Sequence, residues 1–362
     1  MRLVIHAGLN KTGSSSLQSY LHHVRPALAE AGVLYPDLGA RAHWRIAAEL
    51  AQRGGGREAG AGGYLGRLAD RDGVGDALDT LAGLIRQHRN SDQVMLISQE
   101  NFGTLQTMTR LRKFVRQVDP ALTPTVMAYA REPASLFQSS VQHNVKAGKS
   151  YFHPLSWTSQ HHVRVKGLRK VCGDDLKLRC FSSKTLTDGD VIADFRDWFR
   201  LETGRDLPEA GRSFGANSAL SAQGCALLVE AQEDPSSPLR DIPDLRKKIS
   251  GFDGPYATRS KLALPVEWQR LLRSRLGAEW NAIVDTMDSP DEVKARARVD
   301  VEPVEADVAP DAVTRWLLGY ATPEYRDGLL AHLARRPSGK AAGNRGRRRS
   351  RPSSPLPGMT EA

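Results

Sequence analysis

The chain has 362 residues, 40% of them hydrophobic, enough to bury one large core or two modest ones. Its formal net charge is +10, but +7 of this lies from Ala334 onward, where eight Lys or Arg face the single acid Glu361, so the body is close to neutral and no specific nucleic-acid partner is expected. No apolar run approaches the roughly 20 residues of a membrane span, and the start turns polar too soon for a secretory leader; a soluble, cytoplasmic protein without a transmembrane segment is expected.

The first element, Leu3 to His6, reads as a short buried strand, and Ser14 to Ala31 as a helix with Leu17, Leu21, Val24 and Leu28 on one face. GVLYP (32–36) reads as a short strand or extended turn. Gly39 to Gly75, with RGGGREAGAGG inside it, reads as a loop or lid. Regular structure returns with a helix at Leu78–His88, a buried strand at Asp92–Ser98, a helix at Leu105–Val118 and a second buried strand at Thr123–Ala130. A helix then opens on Pro133, where the missing N–H costs nothing. Asp175–Phe181 is a further strand and Asp188–Leu201 a helix. From about 219 the pattern is helical, at 219–227 and 266–284, with proline-rich connections.

Strands alternating with helices predict a three-layer α/β/α fold around a central parallel sheet. The expected organisation is one domain over 1–335, with its α/β core at 1–230 and a helical C-terminal elaboration from about 219, followed by a basic tail at 336–362. That tail holds too little apolar surface to offset its ordering entropy and is expected to be disordered, either as a solubilising segment or as a tether for polyanions. Cys172, Cys180 and Cys225 have no metal-ligand spacing, and read as small buried side chains.

The chemistry is concentrated in GLNKTGSSS (8–16). Gly8 and Gly13, four residues apart between a strand and a helix, frame a phosphate cradle in which loop and helix N–H groups converge on an anion. A nucleoside-triphosphate P-loop carries its lysine after the second glycine, where this chain has Ser14. The lysine is instead Lys11, inside the loop, with hydroxyls at Thr12, Ser14, Ser15 and Ser16. The third core strand ends in Ala-Arg-Glu, which offers Arg131 where a magnesium-dependent phosphotransferase would place an acid.

KTGSSSLQ resembles the 5'-phosphosulfate loop of the sulfotransferases that use 3'-phosphoadenosine 5'-phosphosulfate (PAPS), and REPASLFQSS (131–140) resembles their 3'-phosphate site, an arginine ending a strand with a serine eight positions later, here Arg131 and Ser139. The stretch at 176–199 and the ANSALSAQG helix entrance (216–224) are similar to later segments of bacterial members, with Ala219 in place of a serine, whereas the family's RKGxxGDWK closing motif is absent. The resemblance covers about residues 1–230. It implies a P-loop nucleoside triphosphate hydrolase-like fold and a PAPS-dependent sulfotransferase that needs no metal. In that role Lys11 serves the bridging oxygen, Thr12, Gly13, Ser14 and Ser15 cradle the 5'-phosphate, and Arg131 and Ser139 hold the 3'-phosphate.

Sulfuryl transfer to a small-molecule or saccharide hydroxyl also needs a base. Glu100, directly after the strand at 92–98, is similar to a glutamate of carbohydrate-type members, and His43 in RAHWRIA is its competitor. His6 is expected to order the loop from beneath. His143 either faces the acceptor or is an ordinary exposed helical histidine; His161 and His162 lack a metal-ligand spacing. Trp44, Tyr151 and Phe152 are candidates for the acceptor wall. A P-loop-type small-molecule kinase and a non-catalytic nucleotide-binding protein are the alternatives.

Overall fold

The computed structural model describes residues 1–38, 42–53, 75–211, 214, 220–253 and 260–335. The glycine-rich stretch at 54–74, the helix-entrance residues 215–219 and the basic tail lie outside them. The chain divides into two compact units, Met1–Ala321 and Thr322–Ala362.

In the first unit the strands β1 (Arg2–Ala7), β2 (Val33–Leu34), β3 (Val94–Gln99), β4 (Thr125–Ala130) and β5 (Leu176–Cys180) form one parallel sheet in the order β2-β3-β1-β4-β5. Between and after the strands run α1 (Ser14–His23), α2 (Arg25–Glu30), α3 (Trp44–Arg53), α4 (Ala77–His88), α5 (Leu105–Val118), α6 (Pro133–Ala147), α7 (Gln160–Cys172) and α8 (Val191–Thr203). The helical continuation comprises α9 (Ala222–Glu233), α10 (Leu245–Phe252), α11 (Val266–Asp285), α12 (Asp291–Ala297) and α13 (Ala312–Leu318), while α14 (Pro323–Arg335) belongs to the second unit.

Successive strand residues point to opposite faces, and each face meets its own layer of helices. Leu3, Ile5 and Ala7 share a core with Met95, Ile97, Val126 and Ala128, closed by residues of α3, α4, α5, α7 and α11. Val4, Leu96, Met127 and Tyr129 face the other way, against α1, α2 and α8. The result is the expected three-layer α/β/α architecture, broadly Rossmannoid. No helix among the described residues is long and apolar enough to cross a membrane, and the three cysteines are free and buried.

Strand order decides where a ligand can bind. β1 is flanked on both sides, Ile5 lying beside Ile97 of β3 and Val126 of β4, so the carboxyl ends of β3, β1 and β4 adjoin. The chain builds β2 and β3 on one side of β1 and then crosses over to build β4 and β5 on the other; this reversal opens a crevice at the strand ends.

Two expectations of local structure differ from the fold. The single helix predicted over 14–31 is two, broken at Val24, because Pro26 in the first turn of α2 lacks the N–H a continuous helix would need. Within the predicted 39–75 loop lies α3, whose Ile46, Ala47, Leu50 and Ala51 are buried; the glycines around it masked a short amphipathic segment.

A partly buried ion pair fastens β5 to α8. Arg179 Nε and Nη2 donate to the two carboxylate oxygens of Asp194 at 2.8 and 2.7 Å, and the Tyr129 hydroxyl and the Thr187 N–H donate to the same carboxylate. Replacing Asp194 by Ala strands a guanidinium in a poorly hydrated site and should cost about 3–5 kcal/mol of unfolding free energy. Breaking the exposed Arg298–Asp285 pair with Arg298→Ala should cost less than about 1 kcal/mol. Urea denaturation of the two variants beside the parent checks the contrast.

Candidate functional site

The opening loop is held from three directions. The Thr12 hydroxyl donates to the Leu9 carbonyl at 2.7 Å, closing the loop on itself. The Arg131 Nη1 donates to the Lys11 carbonyl at 3.0 Å. His161, from α7, accepts the Arg131 backbone N–H at Nδ1 (3.1 Å), which leaves Nε2 to donate to the Asn10 carbonyl at 2.8 Å, and Arg164 holds the Asn10 side chain. Lys11 sits at φ 65°, the left-handed region that a lysine adopts only under such constraint. Gly13 has φ 76°, and a Cβ there would lie 2.9 Å from the Phe181 ring; at Gly8 it would lie 2.6 Å from Ser14 Oγ. Space therefore requires both glycines, and the backbone requires Gly13 as well.

Beyond the loop, at the carboxyl ends of β3, β1 and β4, opens a cavity of about 650 Å³. One wall is the loop and the N-terminus of α1: Lys11, Gly13, Ser14, Ser15 and Ser16. Glu100 follows β3 and Arg131 follows β4. The opposite wall is a polar face of α6, with Ser139, Gln142, His143 and Lys146, completed by Arg246 and Ser250 of α10. Among the described residues, four cations, Lys11, Arg131, Lys146 and Arg246, share this space with the single carboxylate Glu100.

Several features of the loop end are suited to an anion. α1 has no side-chain cap and no acid in its first turn, so its leading N–H groups lack intrahelical partners. Ser14 Oγ is buried without a hydrogen-bond partner. The Lys11 pKa is lowered, first by burial and then by Lys146 and Arg131, with Glu100 opposing the shift. Arg131 lies against the Phe181 ring, 5.4 Å from its centroid, and its Nε donates to Ser135 Oγ at 2.7 Å. Glu132 caps α6 at the Ser135 N–H and pairs with Arg273, so it is not the partner of the neighbouring arginine's side chain.

Of the residues expected from the sequence, Lys11, Gly13, Ser14, Ser15, Glu100, Arg131 and Ser139 all line this one cavity. Thr12 does not: its hydroxyl is spent inside the loop. His43 is elsewhere, fully buried, its Nδ1 accepting the Ser98 N–H at 2.9 Å and its Nε2 donating to the Pro36 carbonyl at 3.0 Å. His6 lies beneath the loop with Nδ1 2.7 Å from Ser98 Oγ. Trp44 packs in the core, and Tyr151 donates to Gln232.

Lys146, Arg246, Ser250 and the bridging role of His161 were not anticipated. The α6 contribution carries a signal, since Ser139, Gln142, His143 and Lys146 fall at helical spacing on one face. Arg246 carries none, being more than 100 residues from Arg131 in the chain. No family model, curated protein or solved structure matches the chain.

His6, His43 and His161 share a consequence for acid stability. Burial lowers each pKa from the ordinary 6.5 to about 4, the hydrogen bonds of His43 and His161 opposing only part of the shift. Between those values the unfolded chain binds more protons than the folded one, so stability falls as pH drops from about 6.5 towards 4, by up to about 3 kcal/mol for each imidazole. Urea titrations at pH 7, 6 and 5 should show this loss, and His43→Leu should flatten the slope.

Proposed function

We propose that the chain is a sulfotransferase that takes a sulfuryl group from PAPS and passes it to a hydroxyl acceptor. The observation that carries this reading is the convergence of an uncapped helix N-terminus, a loop lysine and a strand-end arginine in one cavity. The volume suits a nucleotide, and the excess of cations suits a donor with a phosphate at one end and a phosphosulfate at the other. On this reading charge is balanced by side chains and the transfer needs no metal ion. The P-loop-like character of the fold belongs to the same proposal.

The residues then take defined parts. The leading N–H groups of α1 with the Ser14 and Ser15 hydroxyls receive the 5'-phosphate. Ser14 Oγ gains the hydrogen bond it otherwise lacks. Lys11 projects at the oxygen that bridges phosphorus and sulfur and stabilises the charge that develops there as the bond to sulfur breaks. Glu100 favours the charged form of that ammonium against the effect of burial. Arg131 uses two of its five N–H groups on Ser135 and the Lys11 carbonyl, and offers the remainder to the 3'-phosphate beside Ser139.

Calorimetry in EDTA with 3'-phosphoadenosine 5'-phosphate, ADP and ATP tests the donor site. The 3'-phosphorylated nucleotide should bind most tightly without metal; a preference for ATP restored by magnesium would make the protein a kinase instead, and binding of none would leave a non-catalytic role. Arg131→Ala should weaken the 3'-phosphorylated nucleotide by roughly 1.5–3 kcal/mol while affecting adenosine 5'-phosphosulfate less. Lys11→Ala should lower kcat about 100- to 1,000-fold with a smaller change in nucleotide affinity. Equal affinity of Arg131→Ala and the parent for the 3'-phosphorylated nucleotide would remove Arg131 from the site.

A further inference from the structure

The sheet parts where the crevice opens, and one side chain spans the gap. β1 pairs with β4 from Val4 beside Thr125 to His6 beside Met127, and the register ends there. On the other sides the ladders run further, β1 with β3 to Ala7 beside Gln99 and β4 with β5 to Ala130 beside Cys180. Four positions beyond the last β1–β4 pair lie Asn10 and Arg131, which would face each other had that ladder gone on. His161 joins these two residues: the Arg131 N–H donates to Nδ1 at 3.1 Å, and Nε2 donates to the Asn10 carbonyl at 2.8 Å. We infer that His161 is a positioning residue, a side-chain rung that fixes the separation of the Lys11 loop from Arg131 and thereby selects a ligand with anionic groups at both ends. The inference deepens the donor reading and rests on it for the identity of that ligand.

The two groups it joins leave the ring one arrangement. A backbone N–H can only donate and a carbonyl can only accept, so Nδ1 carries the lone pair and Nε2 the proton. Ser159 caps α7 by accepting the His161 N–H at 3.2 Å, which sets the imidazole in the first turn of the helix, buried to 1% exposure. Three positions on, Arg164 Nη1 donates to Asn10 Oδ1 at 3.0 Å, so α7 grips Asn10 by its carbonyl and its side chain together. The surroundings keep the ring neutral at pH 7. Burial lowers its pKa to about 4, the charges of Arg164 and Arg131 adding to the shift and the bond to Asn10 opposing it. An imidazolium would carry a proton at Nδ1 and could not receive the Arg131 N–H.

Such a rung acts on spacing more than on either anion-binding end alone. The loop and the start of α1 offer backbone N–H groups, and Arg131 offers those of its guanidinium that Ser135 and the Lys11 carbonyl leave over. A ligand that touches one end needs only that end in place. A ligand that touches both needs their distance set before it arrives, because ordering a loose loop at the moment of binding costs affinity. The Arg131 guanidinium makes a second tie, to the Lys11 carbonyl, but it is also the group a 3'-phosphate would draw upon. His161 does not line the larger cavity, so it holds the spacing without competing for the ligand.

The test compares the full chain with His161→Leu, which removes both bonds, and with His161→Gln, whose amide can accept from Arg131 and donate to Asn10 as the ring does. Urea denaturation at pH 7 first checks that each variant folds cooperatively. Hydrogen exchange at the Arg131 amide, read by NMR without nucleotide, should be slow in the parent, about tenfold or more faster in His161→Leu, and slow again in His161→Gln. Nitrogen-15 spectra of the parent should show His161 neutral with its proton on Nε2, a readout that needs no variant to fold; a proton on Nδ1 would overturn the inference. Calorimetry then compares 3'-phosphoadenosine 5'-phosphate with adenosine 5'-phosphate. His161→Leu should reduce the preference for the doubly phosphorylated nucleotide about tenfold while adenosine 5'-phosphate binds within about threefold of the parent, and His161→Gln should restore the preference. Unchanged exchange in His161→Leu, an equal loss of affinity for both nucleotides, or no recovery in His161→Gln would also overturn it. If the parent binds neither nucleotide the donor reading falls, and the exchange and nitrogen-15 experiments still decide whether His161 is the rung.

Discussion

The site depends on one constraint: the Lys11 carbonyl is held by Arg131 while Lys11 itself occupies the left-handed region. That conformation costs a residue with a Cβ roughly 1–2 kcal/mol, and Lys has no short polar side chain with which to stabilise it locally. The loop is kept there by its surroundings, by the arginine on one carbonyl and by His161 on the next. Two things follow from the bend it imposes. The lysine ammonium enters the cavity, and Gly13 hands the chain to α1 so that the helix opens on the same space. Arg131 is consequently part of the loop's scaffold and of the cavity wall at once.

A parallel sheet makes that constraint possible. Only with β1 between β3 and β4 do the Gly8–Gly13 loop, Glu100 and Arg131 become neighbours, since they are separated by about 90 and 30 residues along the chain. The arrangement is stiffened on the α8 face. Arg179 and Asp194 tie β5 to α8, and Val191 at the start of that helix packs with Phe181 against Gly13. The same Phe181 ring lies under the Arg131 guanidinium. Strand, helix and loop are thus fixed by shared side chains, which is how a site keeps its geometry without a bound ligand.

Much of this was legible in the sequence where the signal is local. Continuous apolar runs gave β1, β3 and β4, since strands buried on both faces need no alternation, and α5 matched its predicted bounds because its apolar period is unbroken. The loop glycines, Lys11 and Arg131 were readable because strand-to-helix turns that bind anions draw on few residue types. What was missed is long-range. Nothing near Arg246 announces that α10 returns to the cavity, and nothing near His161 shows that both its nitrogens will be used on other loops. His43 illustrates the converse: a histidine at an apparently catalytic position is a buried connector, because the 39–75 region contains a packed helix and brings the imidazole under Ser98.

The charges of the cavity act on one another and on the histidine among them. Burial first, and then Lys11, Lys149, Lys146 and Arg246, lower the His143 pKa. Burial likewise lowers the Lys11 pKa, with Lys146 and Arg131 adding to the shift and Glu100 opposing it. An anionic nucleotide placed among them would relieve both effects. Negative charge beside them would favour the protonated forms of Lys11 and His143 alike.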